Sequence, residues 1–196
     1  MYSHFVTARD RLIETTQELL WERGYVGTSP RAIQERAGAG QGSMYHHFSG
    51  KPELCAEAVR RSAEALRARA EAALSGGGPA LERLAAYLRL PREVLRGCRM
   101  GRLAQDPEVI ARPELREPVE QALRWSRERL AGVVAEGQAA GELDGQLDAQ
   151  AIAAALVAVL QGGYVLARAA GSEAPFHQAI AGALALLEAT ARPARR

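Results

Sequence analysis

The chain has 196 residues, of which 47% are apolar and 24% charged, with a formal net charge of +2. This length and apolar share exclude a disordered chain and support a core without covalent staples, in one or two domains. Two cysteines, Cys55 and Cys98, exclude a disulfide framework, and the near-neutral balance excludes naming a nucleic-acid partner from total charge.

Alanine is abundant while Val, Ile, Phe and Thr are scarce, a balance that favours helices and predicts an all-α fold. The opening MYSHFVTARDRL lacks an apolar signal core, so the expected compartment is the reducing cytoplasm. Ala8, Leu12, Thr16, Leu19 and Leu20 make one apolar face of a helix running from about Thr7 to Gly24, where glycine stops it. Ser29 is placed to cap a short helix over Pro30 to Ala37, with Pro30 in its first turn. "GAGQG" then leads into a second short helix ending near Phe48, and Lys51-Pro52 opens a long one to about Leu74.

"SGGGP", Ser75 to Pro79, is the clearest break in the chain. Beyond it, Pro91, Pro107, Pro113 and Pro118 with Gly97 and Gly101 predict short helices and turns, followed by a long helix from about Pro118 to Ala140. Asp148 caps a helix to about Ala170, and Pro175 to Ala191 forms the last. Ala149 to Ala167 carries no charge, but its two glutamines, two glycines and many alanines read as a buried helix rather than a membrane span.

Two short helices joined by a glycine-containing turn and braced by a longer one describe a helix-turn-helix. On a helical wheel of "QGSMYHHF", Met44 and Phe48 face the small core with Ile33 and Leu12. Gly42, Ser43, Tyr45 and His46 then point away from it. Glycine permits close approach to a groove floor, and the hydroxyl, phenol and imidazole suit base edges or phosphates. Gln41, at the helix start, can bind adenine in bidentate fashion, and Lys51 near the next helix start suits a phosphate. Each has a plainer reading: Tyr45 as packing, Gln41 and Ser43 as solvated turn residues, and His47, at the edge of the inner face, as a structural histidine. Adjacent histidines diverge by about 100° on a helix, which argues against one metal ion taking both, so no metal is expected. No catalytic arrangement stands out, and neither an enzyme nor a cofactor is expected.

"RAIQERAGAGQGSMYHHFSGKPEL" resembles the DNA-binding signature of the tetracycline-repressor family of transcriptional regulators, strongly over about residues 7–54 and including "ERGYVGTS". Within the family it is most similar to the branch with "GSxYHHF-x-GK" and a later "GC-x-x-G-x-L", here "GCRMGRL". The resemblance implies a three-helix DNA-binding domain over residues 1–52 and a larger ligand-binding and dimerisation domain over 53–196. A helix at 53–75 connects them, within about nine helices. It also implies that Ser29 and Arg31 touch backbone and a base. Gln41, Gly42 and Ser43 would approach bases, while Tyr45, His46, His47 and Lys51 would hold phosphates. The sequence departs from the family at Gly40, often a serine, which weakens the expected cap of the second short helix, and at Ala32-Ile33-Gln34.

One helix-turn-helix reads only a few base pairs, so such proteins pair to span two half-sites of a palindromic or pseudo-palindromic operator. The helices at about 148–170 and 175–191 are apolar on more than one stripe and rich in Ala and Gly, which predicts a homodimer through them; one dense monomer core is the alternative. The resemblance further implies a small-molecule pocket, with Tyr87, Cys98, Met100, Leu103, Trp125, Arg129, Gln161 and Tyr164 as candidate lining for a hydrophobic or aromatic ligand. Trp125 and Arg129 sit four apart, so a cation over an aromatic could hold an anionic or planar ligand; Trp125 as core and Arg129 as surface is the alternative. Cys98 reads as a small buried hydrophobe or as a redox sensor. The expected protein is a repressor whose ligand releases DNA. Its rivals are a ligand-binding protein or enzyme with a vestigial helix-turn-helix, and a ligand-independent regulator.

Overall fold

A computed structural model describes residues 7–191. Among these residues the secondary structure is helical apart from one isolated antiparallel bridge, Leu143 to Ala191. The chain packs as two compact units, one of Met1–Ala65 with Arg99–Ala122, the other of Leu66–Cys98 with Leu123–Arg196. The division expected near residue 52 does not coincide with these units. The first part of the long helix and the segment 99–122 both complete the core of the N-terminal three-helix group.

In the first unit, α1 (Ala8–Arg23) begins with a reciprocal cap: the Thr7 hydroxyl accepts from the Asp10 N–H, and the Asp10 carboxylate accepts from Thr7. It buries Leu12, Ile13, Thr16, Leu19, Leu20 and Trp21, and Gly24 ends it at a positive φ of 69°. Hydrogen bonding from Thr7, then from Arg61, holds the Asp10 carboxyl down at about 2 from its ordinary 3.8. Because the folded value is the lower one, this contribution is present above pH 3.8 and is lost as pH falls through about 2. Asp10→Asn is therefore expected to flatten the stability profile across that window, read by urea unfolding at a series of pH values. An unchanged profile would contradict the assignment.

The second helix, α2 (Pro30–Ala37), starts as expected, with the Ser29 hydroxyl accepting from Ala32 N–H at 3.1 Å, and ends at left-handed Gly38. Then α3 (Gln41–His47) follows with Gly40 at its N-cap and no side-chain cap, as the missing serine predicts. The long α4 (Lys51–Leu74) passes from the first unit into the second. Two short helices, α6 (Arg99–Leu103) and α7 (Pro107–Ile110), return to the first unit. A longer one, α8 (Pro113–Ala139), begins earlier than expected, with Pro118 inside it. Proline this close to a helix start removes a single i→i−4 bond, to the Glu114 carbonyl, which the first turns tolerate.

The second unit is built from α5 (Ala80–Leu88), a 3-10 turn at Val94–Arg96, the end of α8, α9 (Ala149–Ala170) and α10 (Ala174–Glu188). Asp148 caps α9 through Gln150 N–H at 2.8 Å, and left-handed Gly171 ends it. Its core includes Leu84, Leu88, Val134, Leu156, Phe176 and Leu184. Of the adjacent glycines in α9, Gly163 admits α10, since a Cβ there would lie 3.0 Å from the Phe176 ring; Gly162 faces open space. α9 is the one helix among the described residues long and apolar enough to cross a membrane, and it is less buried than its composition suggested. One face packs on α10, while Ala154, Ala155, Ala158, Val165 and Leu166 lie open opposite it.

Gly137 in α8 marks the tightest approach in this core. A Cβ there would sit 2.5 Å from Ala80 Cβ and 3.0 Å from Leu143 Cδ1. Overpacking costs about 1–3 kcal/mol and outweighs the roughly 1 kcal/mol of helix propensity that alanine adds. Gly137→Ala is expected to lower stability in urea titration, and a gain would contradict this packing.

Candidate nucleic-acid interface

The outer face of α3 forms as its period requires. Met44 is 0% and Phe48 4% exposed, whereas Gln41, Gly42, Tyr45 and His46 are open to solvent and Ser43 and His47 are half-buried. Tyr45 keeps 51% of its surface, so the phenol is not core packing. The His46 and His47 rings meet edge to face at 4.9 Å, and His47 lies 6.4 Å from the Phe48 ring, placing it at the rim of the inner side.

At the start of α2, Ser29 is exposed although its hydroxyl is committed to the cap. Arg31 is almost wholly exposed and pairs with Glu35 one turn on, Nε to Oε1 at 2.7 Å. Only Nε bonds Glu35, and the side chain otherwise lies open to solvent.

Lys51 departs from the expectation of a phosphate contact. Its ammonium donates to the Tyr25 carbonyl at 2.7 Å and lies 3.9 Å from the Tyr25 ring centroid. Desolvation lowers the Lys51 pKa and raises that of the Tyr25 phenol. A carbonyl and a ring, both offered by the α1–α2 turn, hold this charge where solvent phosphate was expected. Next to them, burial pushes the Cys55 thiol up to about 12, so it behaves as a small core residue.

The candidate ligand residues are divided between the two units. Met100 and Leu103 are buried in the first unit, while Tyr87, Cys98, Trp125, Arg129, Gln161 and Tyr164 belong to the second. Within the second unit Tyr87 and Tyr164 are core residues, and Cys98 and Trp125 pack against that core. Burial raises the pKa of both phenols. The expected Arg129–Trp125 contact is replaced. Arg67 lies over the indole at 5.8 Å, and Arg129 Nε instead bonds both Glu71 oxygens at 3.0 and 3.1 Å. A carboxylate in reach offers a guanidinium more than a ring face does. Two shallow grooves of about 290 and 360 Å³ lie along α10 near Arg89 and His177, and none of the eight candidates lines them.

Tyr25, Arg99, Arg102, Asp106 and Arg112 were not singled out from the sequence; they form polar contacts at the end of α1 and the turn beyond it. The pair Asp106-Pro107 signals a helix start, but nothing local signals that Asp106 also reaches Tyr25 N–H, 81 residues away in sequence.

Residues 12–58 match the profile of bacterial regulatory proteins of the tetR family, and residues 78–183 match the tetracyclin repressor-like C-terminal domain. The chain is 28% identical over 124 residues to the HTH-type transcriptional regulator LmrA of Bacillus subtilis, covering 60% of this chain and 65% of that protein. It therefore spans just under two thirds of that relative. A TetR transcriptional regulator from Chloroflexus aurantiacus superposes with a TM-score of 0.86 at 26% identity, over 95% of this chain and 97% of the other. The regulatory protein TetR from Rhodobacter sphaeroides does so with 0.81 at 27%, over 91% and 97%. With both profiles matched and the fold shared over nearly the whole length, the chain belongs to the tetracycline-repressor family.

Proposed function

We propose that this protein is a cytoplasmic, homodimeric transcriptional repressor that binds operator DNA through α3 and the start of α2. The observation that carries the reading is the division of α3. Met44 and Phe48 anchor it, and Gln41, Gly42, Tyr45 and His46, with half-buried Ser43 beside them, lie on a face left open by the described residues. Such a surface has the shape and the donors and acceptors that a major groove accepts. Gln41 reads an adenine, Gly42 and Ser43 approach the groove floor, and Tyr45, His46 and His47 hold phosphates. Arg31, exposed and bonded to Glu35 through Nε, offers its guanidinium to a guanine or phosphate. Ser29 fixes the start of α2, with its backbone against the DNA strand. Lys51 steadies the turn at Tyr25 from behind.

Pairing uses the open faces of α9 and α10, where small residues and exposed Val165, Leu166 and Leu186 form an apolar surface. Such a patch is covered in a stable protein. Two copies joined this way present two reading heads to a palindromic operator. A small hydrophobic or aromatic ligand bound near Tyr87, Cys98, Trp125 and Tyr164 releases the DNA by favouring a different separation of the heads.

Selection of bound duplexes from a random pool tests the reading directly. A palindromic or pseudo-palindromic site with half-sites about one helical turn apart is expected. Failure to enrich any sequence would refute DNA reading and leave a ligand-binding protein with a vestigial head. A thermal-shift screen of aromatic and apolar compounds tests the ligand, since a binder raises the melting temperature by mass action.

A further inference from the structure

Between Ala8 and Arg61 the lysine and arginines have partners, with one exception. Arg9 and Arg60 share Glu57, Arg31 pairs with Glu35, Arg36 with Glu22 and Arg61 with Asp10. Arg11 donates to the Ala37 carbonyl and Lys51 to that of Tyr25. Arg23, the last residue of α1, is exposed, and its guanidinium makes no hydrogen bond or ion pair among the described residues.

The sequence and the turn beyond α1 place this residue. Leu12, Thr16, Leu19 and Arg23 follow at four- and three-residue spacing, so they share one face of α1. That face is buried as far as Leu19 and surfaces at Arg23, where its period calls for an apolar residue. The chain then folds back. A Cβ on Gly27 would sit 2.7 Å from Arg23 Cβ and 2.7 Å from the Arg23 carbonyl oxygen, so Gly27 lies directly against Arg23. Gly27 is two residues before Ser29, the cap of α2, which roots the Arg23 side chain beside the turn leading into that helix. Two carboxylates stand close to this turn, and both are taken. Glu22 bonds Arg36 at 2.6 and 2.9 Å, while Asp106 accepts from Tyr25 N–H at 2.7 Å with one oxygen and caps α7 with the other.

We propose that Arg23 is a phosphate contact of the DNA-reading head, holding the strand that runs past the start of α2. It rests on the DNA-reading role proposed for α3 and the start of α2. With no carboxylate to give up, Arg23 neutralises a phosphate at full charge, which an arginine already paired does only in part. A contact of this kind adds grip and fixes position without reading a base. A cation in the last turn of a helix also suits the helix dipole, and salt dependence separates the two roles.

The test measures affinity for the selected operator between about 50 and 200 mM salt for the parent, Arg23→Gln, Arg23→Lys and Arg89→Gln. Losing one phosphate contact in each head of a dimer should lower the log–log slope by about 1.8, at about 0.9 for each, so the parent's advantage over Arg23→Gln shrinks about tenfold across that range. The motif that Arg23→Gln selects from a random pool should match the parent's at every base. Arg23→Lys keeps the charge and should keep the slope. Arg89 is exposed in the second unit, and its side chain also lacks a partner among the described residues. Arg89→Gln makes the same change in net charge and should retain the parental slope. If Arg23 serves only the end of α1, Arg23→Gln would lose affinity by one factor at every salt concentration and keep the slope, which overturns the proposal. An equal loss of slope in Arg89→Gln, or a motif altered in Arg23→Gln, also overturns it. A parent that enriches no DNA would overturn the reading of α3 and this proposal together, whereas a binding parent with Arg23→Gln of parental slope overturns this proposal alone.

Discussion

Gly162→Arg is expected to leave the chain folded and make it monomeric. Gly162 lies mid-way along α9, is exposed, and has nothing among the described residues within 4 Å of where its Cβ would stand, so a larger side chain leaves the helix into open space. Removing a mid-helix glycine favours the helix by roughly 1 kcal/mol. A guanidinium planted in a surface that otherwise presents Ala154, Ala155, Ala158 and Val165 opposes pairing, since burying that charge unpaired costs several kcal/mol. Sedimentation should report a single chain, and operator affinity should fall about 100-fold or more as two-site recognition collapses toward non-specific binding. A variant that sediments as a dimer with parental affinity would remove α9 from the interface. Gly163→Arg is no substitute, because that position faces Phe176 within the chain and would report on folding instead.

The second large effect belongs to Gln41. Its side chain is exposed and bears none of the core, so Gln41→Ala should shift unfolding free energy by no more than about 0.5 kcal/mol. Loss of a bidentate adenine contact should cost about 1–3 kcal/mol of discrimination, a ten- to hundredfold change confined to one base position of each half-site. Met44→Ala supplies the contrast. Met44 is completely buried, so that change should cost about 2–5 kcal/mol of stability. Repeating the selection from a random pool with Gln41→Ala separates the two kinds of loss. A motif unaltered at every position would show that Gln41 reads no base.

Helix ends were legible because their signals are local. Ser29, Asp148, Gly24 and Gly171 sit where capping chemistry requires them. The start of α8 was not, because proline carries the same signal at a helix start as it does one turn inside. The outer face of α3 was also legible, since 100° per residue decides which side chains accompany Met44 and Phe48 inward. What escaped were choices between partners far apart in the chain. Lys51 takes a carbonyl 26 residues back, and Arg129 takes Glu71 on another helix rather than the indole one turn away. Met100 and Leu103 read as apolar lining, and apolar they are. Periodicity does not tell which of two cores an apolar residue fills.

The exposed face of α3 contains no lysine or arginine, and the arginines of α2 already have carboxylate partners, Arg31 with Glu35 at 2.7 Å and Arg36 with Glu22 at 2.6 Å. The dependence of DNA affinity on ionic strength counts phosphates neutralised, at about −0.9 in log–log slope for each. A reading helix of uncharged donors and acceptors releases few condensed ions when it docks, and a paired arginine releases fewer than a lone one. With α3 in the base-reading role proposed for it, base discrimination is expected to survive added salt better than the overall grip on the duplex does. On that proposal, one set of atoms tells sequences apart and another holds on.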